Sequence, residues 1–217
     1  MALMVIDPAV RRPELQSFNA IALRSPVPVS YHLPALHDFA SFPEDPLGKN
    51  RVHGLILFGS GASVHDRFPW QLELERWCLP LMEAGIPTLG LCYGHQMLAH
   101  MFGGRVEWVF DDRHKHKGLR QLTLHTSPLG SGTRCLPISH AEAVTQLPPG
   151  FSVLAESPEC AIDGLRHDTL PIYGFQPHPE ATEDFLDTHG IERNAASLAA
   201  LSDGAGILDR FLGLLPK

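Results

Sequence analysis

The chain has no run approaching the roughly 18 consecutive apolar residues that a membrane-spanning helix requires. Its start, Met1-Ala-Leu-Met-Val-Ile-Asp7, has neither a basic opening nor a cleavage site, so it predicts a first β-strand and not a signal peptide. Cysteine is scarce: Cys78, Cys92, Cys135 and Cys160 include no C-x-x-C pair, too few for a disulfide scaffold, and the expectation is reduced thiols in the cytoplasm. Positive charge is also short. Seventeen Lys and Arg stand against 24 Asp and Glu, a formal net charge of −7, which argues against sequence-independent nucleic-acid binding and against docking on an anionic membrane. Repeats and low-complexity tracts are absent.

What is present suits a folded globular protein. Apolar residues make up 44% of the 217, enough for a sizeable core, and the length is that of one large domain or two small ones. No boundary is visible, since Pro148-Pro149-Gly150 sits inside a run of strands, and one domain over residues 1–217 is expected. Strand-like and helix-like segments alternate in the first half: strands at 3–7, 27–32, 53–58 and 86–91, and helices at 14–24, 70–84 and 93–102. The stretch 34–51 reads as loop with at most a short helix. His53–Phe58 is apolar without alternation, as a strand buried on both faces requires. Short strands follow at 105–110, 119–125, 135–139, 151–157, 160–165 and 170–175, the later ones as antiparallel additions, with helices near 181–188 and 195–213. The fold class is α/β, a mostly parallel central sheet flanked by helices.

The most informative segment is Gly90-Leu91-Cys92-Tyr93-Gly94-His95-Gln96, where a buried strand ends at Cys92 and a helix starts at once. Glycines two residues either side make this a nucleophile elbow with cysteine in the serine position. A tight turn lifts the side chain above the sheet edge, and the helix N-terminus behind the sulfur favours negative charge. First-turn N–H groups are free to meet an oxyanion. Most free cysteines are inert and buried, and that reading holds for Cys78, Cys135 and Cys160, which lack this setting.

A base is supplied by Gly174-Phe175-Gln176-Pro177-His178-Pro179-Glu180. His178 would sit at the carboxyl end of a strand, where ligands gather in parallel sheets, with Glu180 close enough to hold the imidazole. The loop Phe58-Gly59-Ser60-Gly61-Ala62-Ser63 lets backbone N–H groups face a ligand. A nucleotide phosphate loop is excluded there, because neither Gly-Lys-Ser/Thr nor G-x-G-x-x-G is present.

Together the elbow, the His178-Pro-Glu180 segment and the small-residue loop resemble class I glutamine amidotransferases, in the same order along the chain. Ser139-His140-Ala141-Glu142, followed by Leu147-Pro-Pro-Gly150-Phe151, is similar to the amidotransferase domain of GMP synthases. The resemblance covers roughly residues 53–182 and implies a flavodoxin-like fold and hydrolysis of a γ-carboxamide. It implies Cys92 as nucleophile, His178 as base and acid, and Glu180 as its orienting group. It places the oxyanion hole at the N–H of Tyr93 with Gly59 or Ser60, and the amino-acid end of glutamine at Gln96, Ser139, His140, Ala141 and Glu142. No metal or organic cofactor is implied. Two departures stand out: Phe58-Gly59-Ser60-Gly61 replaces the family's Ser-Gly-Gly-Pro, and Pro177 replaces a large apolar residue. The ATP-using synthetase part of a GMP synthase has no counterpart here, so the amidotransferase module is expected without the acceptor chemistry.

Three functions stay open on the sequence. One is a glutaminase that passes ammonia to a separate synthetase subunit. The second is an independent γ-glutamyl amide or peptide hydrolase. The third is a silent binding or regulatory protein, against which the intact Cys92, His178 and Glu180 argue. Asp111–Lys117 reads as a solvated loop, since its basic residues would repel a metal ion, and the family places this region beside the active site. The Ala- and Leu-rich C-terminal helix could pack or serve a homodimer.

Overall fold

In the computed structural model, which describes residues 2–49 and 51–216, apolar side chains leave opposite faces of the same strands. Along β1 (Ala2–Ile6), Met4 and Ile6 join one core while Leu3 and Val5 join another. This two-residue period buries a strand on both faces and explains why its sequence does not alternate. Met1, Asn50 in the 34–51 loop and Lys217 lie outside the described residues.

The chain continues through α1 (Leu15–Arg24), β2 (Val29–His32), α2 (Pro34–His37), β3 (Val52–Leu57), α3 (Pro69–Glu83), β4 (Thr88–Leu91) and α4 (Tyr93–Met101). Then come β5 (Arg105–Trp108), β6 (His116–Ser127), β7 (Gly130–His140), β8 (Glu142–Gln146), β9 (Phe151–Ser157), β10 (Cys160–His167) and β11 (Ile172–Phe175). The helices α5 (Glu183–His189) and α6 (Ala195–Leu212) close the chain. The main sheet runs β2-β1-β3-β4-β11-β10-β9-β6-β7. The pairings from β2 to β11 are parallel and those beyond β11 antiparallel. With β11 as fifth parallel strand, the order is the flavodoxin-like 2-1-3-4-5.

Leu74 and Leu81 of α3 and Met97 and Leu98 of α4 cover one face. Ile21 of α1 and Ile207 and Phe211 of α6 cover the other. Among the described residues, no helix is long and apolar enough to cross a membrane. The four cysteines are unpaired.

One strand lacks a sequence signal. β8 follows directly on the Ser139–Glu142 corner and pairs with β5 in a separate two-stranded sheet. Glu-Ala-Val-Thr-Gln is too short and too polar at its end to stand out. The segment expected at 119–125 is the middle of the longer β6, which forms a hairpin with β7.

Candidate active site

The strand order reverses between β1 and β3, which opens a crevice at the carboxyl ends of the parallel strands. Asp7 follows β1, Gly59 and Ser60 follow β3, Cys92 follows β4 and His178 follows β11. These residues line one cavity of about 470 Å³.

Cys92 joins β4 to α4 at φ 51° and ψ −101°, a backbone region that residues with a side chain seldom occupy. The flanking glycines are required by close approach. A Cβ on Gly90 would stand 2.5 Å from the Gly94 carbonyl oxygen, and one on Gly94 would stand 2.3 Å from that of Leu57. Strand and helix therefore meet almost backbone to backbone, and the sulfur is forced above the sheet edge.

His178 Nδ1–H donates to Glu180 Oε1 over 2.8 Å, and both residues are buried. The His178 N–H is itself anchored on the Pro137 carbonyl of β7 at 2.9 Å. Burial pushes the imidazole pKa down, but the charges of Glu180 and of the Cys92 sulfur outweigh it and lift it to about 10. Nε2 has no hydrogen-bond partner. Gly59 lies between these two side chains: a Cβ there would be 3.3 Å from His178 Cε1 and 3.6 Å from Cys92 Cβ.

Among the described residues nothing accepts from the N–H of Gly59 or Ser60. The Tyr93 N–H opens α4, so the helix offers it no carbonyl four residues back. The Tyr93 side chain points away from the cavity and accepts from Gln71 Nε2 at 3.0 Å. Ser60 Oγ donates to the Pro8 carbonyl, which ties the β3 loop to the β1 loop.

The residues expected to hold the amino-acid end of glutamine divide in two. Ser139 lines the cavity with its Oγ buried and unpartnered. Gln96 is buried behind the sulfur, and its Nε2 donates to the Glu142 carbonyl at 2.7 Å and to Gln176 Oε1 at 3.1 Å. His140 Nδ1–H donates to the same Glu142 carbonyl, and burial together with the nearby Arg120 charge depresses its pKa to about 3. Glu142 accepts from Ser63 Oγ at 2.8 Å through its carboxylate, and Ala141 accepts the Val109 N–H.

Several residues around the site carried no role in the sequence reading. Gln176 Nε2 donates to Cys92 Sγ at 3.6 Å, so a buried amide relay runs from Gln96 to the sulfur. Its place in the Phe175-Gln-Pro-His178 run was the available signal. Asp7 accepts from the N–H groups of Ala9 and Glu14 and from the Tyr31 hydroxyl. Glu14, Lys115 of the Asp111–Lys117 loop and the α5 residues Phe185 and His189 also line the cavity.

A family model for class-I glutamine amidotransferases matches residues 36–197. GMP synthase [glutamine-hydrolyzing] of Cupriavidus taiwanensis is 33% identical over 157 residues, covering 67% of this chain and 28% of that protein. The chain thus spans little more than a quarter of the length of the GMP synthases it matches. A glutamine amidotransferase from Thermotoga maritima superposes with a TM-score of 0.76 at 16% identity, over 98% of this chain and 96% of that one. A glutamine amidotransferase from Methylobacillus flagellatus gives 0.73 at 20% identity, over 100% and 95%. At such identities the two structures establish the shared fold. On the family match, which spans most of its length, this chain belongs to the class-I glutamine amidotransferases.

Proposed function

We propose that this chain hydrolyses the side-chain amide of glutamine through Cys92, His178 and Glu180, and that the ammonia serves an acceptor on a separate synthetase. The observation that carries the reading is the meeting of a strained elbow cysteine with a buried His–Glu pair across Gly59. The glutamine-hydrolysing name of the GMP synthase relatives supports the substrate and the class of partner.

Cys92 thiolate attacks the amide carbon, forming an S–C bond and a tetrahedral oxyanion. The N–H groups of Tyr93 and Gly59 or Ser60 donate hydrogen bonds to that oxyanion; each such donor is worth about 2.7–4 kcal/mol in comparable sites. His178, held as imidazolium by Glu180, gives its proton to the departing nitrogen as the C–N bond breaks. A γ-glutamyl thioester remains. His178 then takes a proton from water, whose oxygen attacks the thioester carbon, and the C–S bond breaks to release glutamate. Gln176 steadies the sulfur by its amide N–H, and Ser139 lies where the amino-acid end of the substrate would rest.

The test is glutamate release by the purified chain, with trapping of the acyl-enzyme by mass spectrometry. Loss of both signals in Cys92→Ala is expected. Turnover that survives the substitution would overturn the assignment. A second reading, hydrolysis of larger γ-glutamyl amides, is favoured by the cavity, whose volume exceeds what ammonia needs as a leaving group.

A further inference from the structure

The cavity continues past His178 between the β1–α1 loop and α5, while neither Gln96 nor Glu142 reaches its wall. At about 470 Å³ it falls in the ~300–1,000 Å³ range of sites for small organic molecules. Ammonia occupies about as much space as a water, ~30 Å³. The α5 side of this space, lined by Phe185, Thr188 and His189, lies beyond what ammonia needs as a leaving group.

Two carboxylates, Glu14 and Glu180, line that side of the cavity. Glu14 is half-buried and, among the described residues, its carboxylate has no hydrogen bond or ion pair. Two cations face it, Arg12 and the His178 imidazolium, and Glu180 already holds the second. Arg12 is committed to Asp184 and Thr188, and Asp7 is a second carboxylate. Glu180 is only 3% exposed, lines the same cavity, and uses Oε1 on His178 while Oε2 has no partner. Burial, and then the Glu180 charge, raise the Glu14 carboxyl pKa to about 7. A half-buried carboxylate without a counter-ion is costly, and a cationic ligand removes the cost. Arg11 and Lys115 also line the cavity, but both are exposed, where solvent and salt screen them.

We infer that Glu14, beside Glu180, receives an ammonium group borne by the leaving amine, so that the site takes γ-glutamyl amides of diamines as well as glutamine. This rests on the thioester chemistry proposed above. The amide C–N bond breaks as the S–C bond forms, the reacting nitrogen takes the His178 proton, and the distal ammonium stays on Glu14 until the diamine departs. Water then releases glutamate as it does from glutamine.

Three γ-glutamyl amides of matched length separate the possibilities: those of diaminobutane, butylamine and aminobutyrate, with an ammonium, a neutral and a carboxylate end. A charge-assisted hydrogen bond predicts kcat/KM about tenfold or more higher for the ammonium substrate near pH 8 than for the neutral one. In Glu14→Gln that ratio falls toward one. Equal or better turnover of the neutral or carboxylate amide, or an unchanged ratio in Glu14→Gln, overturns the inference. Kd values for the three amides on the Cys92→Ala protein, by calorimetry, give the same ranking without turnover. If no thioester forms from any amide, the triad reading fails, yet the Kd ranking still decides whether Glu14 selects an ammonium.

Discussion

His178 and Glu180, two residues apart in one loop, form a buried 2.8 Å hydrogen bond, and the carboxylate keeps the imidazole charged where burial would discharge it. Glu180→Gln retains the shape and removes the charge. Hydrolysis should fall by about 10²–10⁴, the usual worth of a positioned acid–base group. The alkaline limb of kcat/KM should also move well below pH 10, because burial lowers the imidazole pKa and nothing then offsets it fully. A pH–rate profile of both proteins checks this; an unmoved limb would contradict the pairing.

Gly94→Ala should damage the elbow. Its Cβ would meet the Leu57 carbonyl oxygen at 2.3 Å, and backbone on both sides cannot yield as a flexible side chain would. Overpacking of this kind costs about 1–3 kcal/mol. Urea unfolding should show that loss, together with a fall in glutamate release that Ala substitution at the exposed Glu192 does not cause.

Arg120 and Asp163 form a buried ion pair at 2.7 Å, and the Asp163 carbonyl accepts the Gln176 N–H. Arg120→Met would strand the Asp163 charge and should destabilise the fold by about 3–5 kcal/mol. Adding Asp163→Leu should restore most of it. Urea midpoints of the single and double variants test whether the pair acts as a unit.

Glu14 predicts a pH-dependent stability. Its carboxyl pKa lies near 7 in the fold against 4.5 ordinarily, with Asp7, Glu180, His178 and Arg12 facing it. Between those values the unfolded chain ionises while the folded one keeps its proton, so stability is lost as pH rises and the full penalty stands above pH 7. Glu14→Gln should therefore stabilise the protein near pH 8 and much less near pH 5, as thermal unfolding at the two pH values would show.

Much of this was legible along the chain because it is local. Gly90, Cys92 and Gly94 state a strand, a turn and a helix within five residues, and the apolar runs at 3–6 and 53–58 state strands buried on both faces. His178 and Glu180 are likewise two residues apart, so their bond could be expected from spacing. Where the sequence signal was weak, the partner was remote. β8 takes its shape from β5, more than thirty residues earlier, and the amide of Gln96 turns to Glu142 and Gln176.

The sequence by itself determined the α/β class, the elbow, the His–Glu segment and the family resemblance, because each is written in neighbouring residues. Only the tertiary structure decided what surrounds the sulfur. The 2-1-3-4-5 strand order brings the β1 loop with Glu14, the β3 loop, Cys92 and His178 to one sheet edge, and α5 closes the cavity beside them. No local pattern encodes that meeting. It follows from hydrogen-bonded strand pairing and from burying both faces of one sheet.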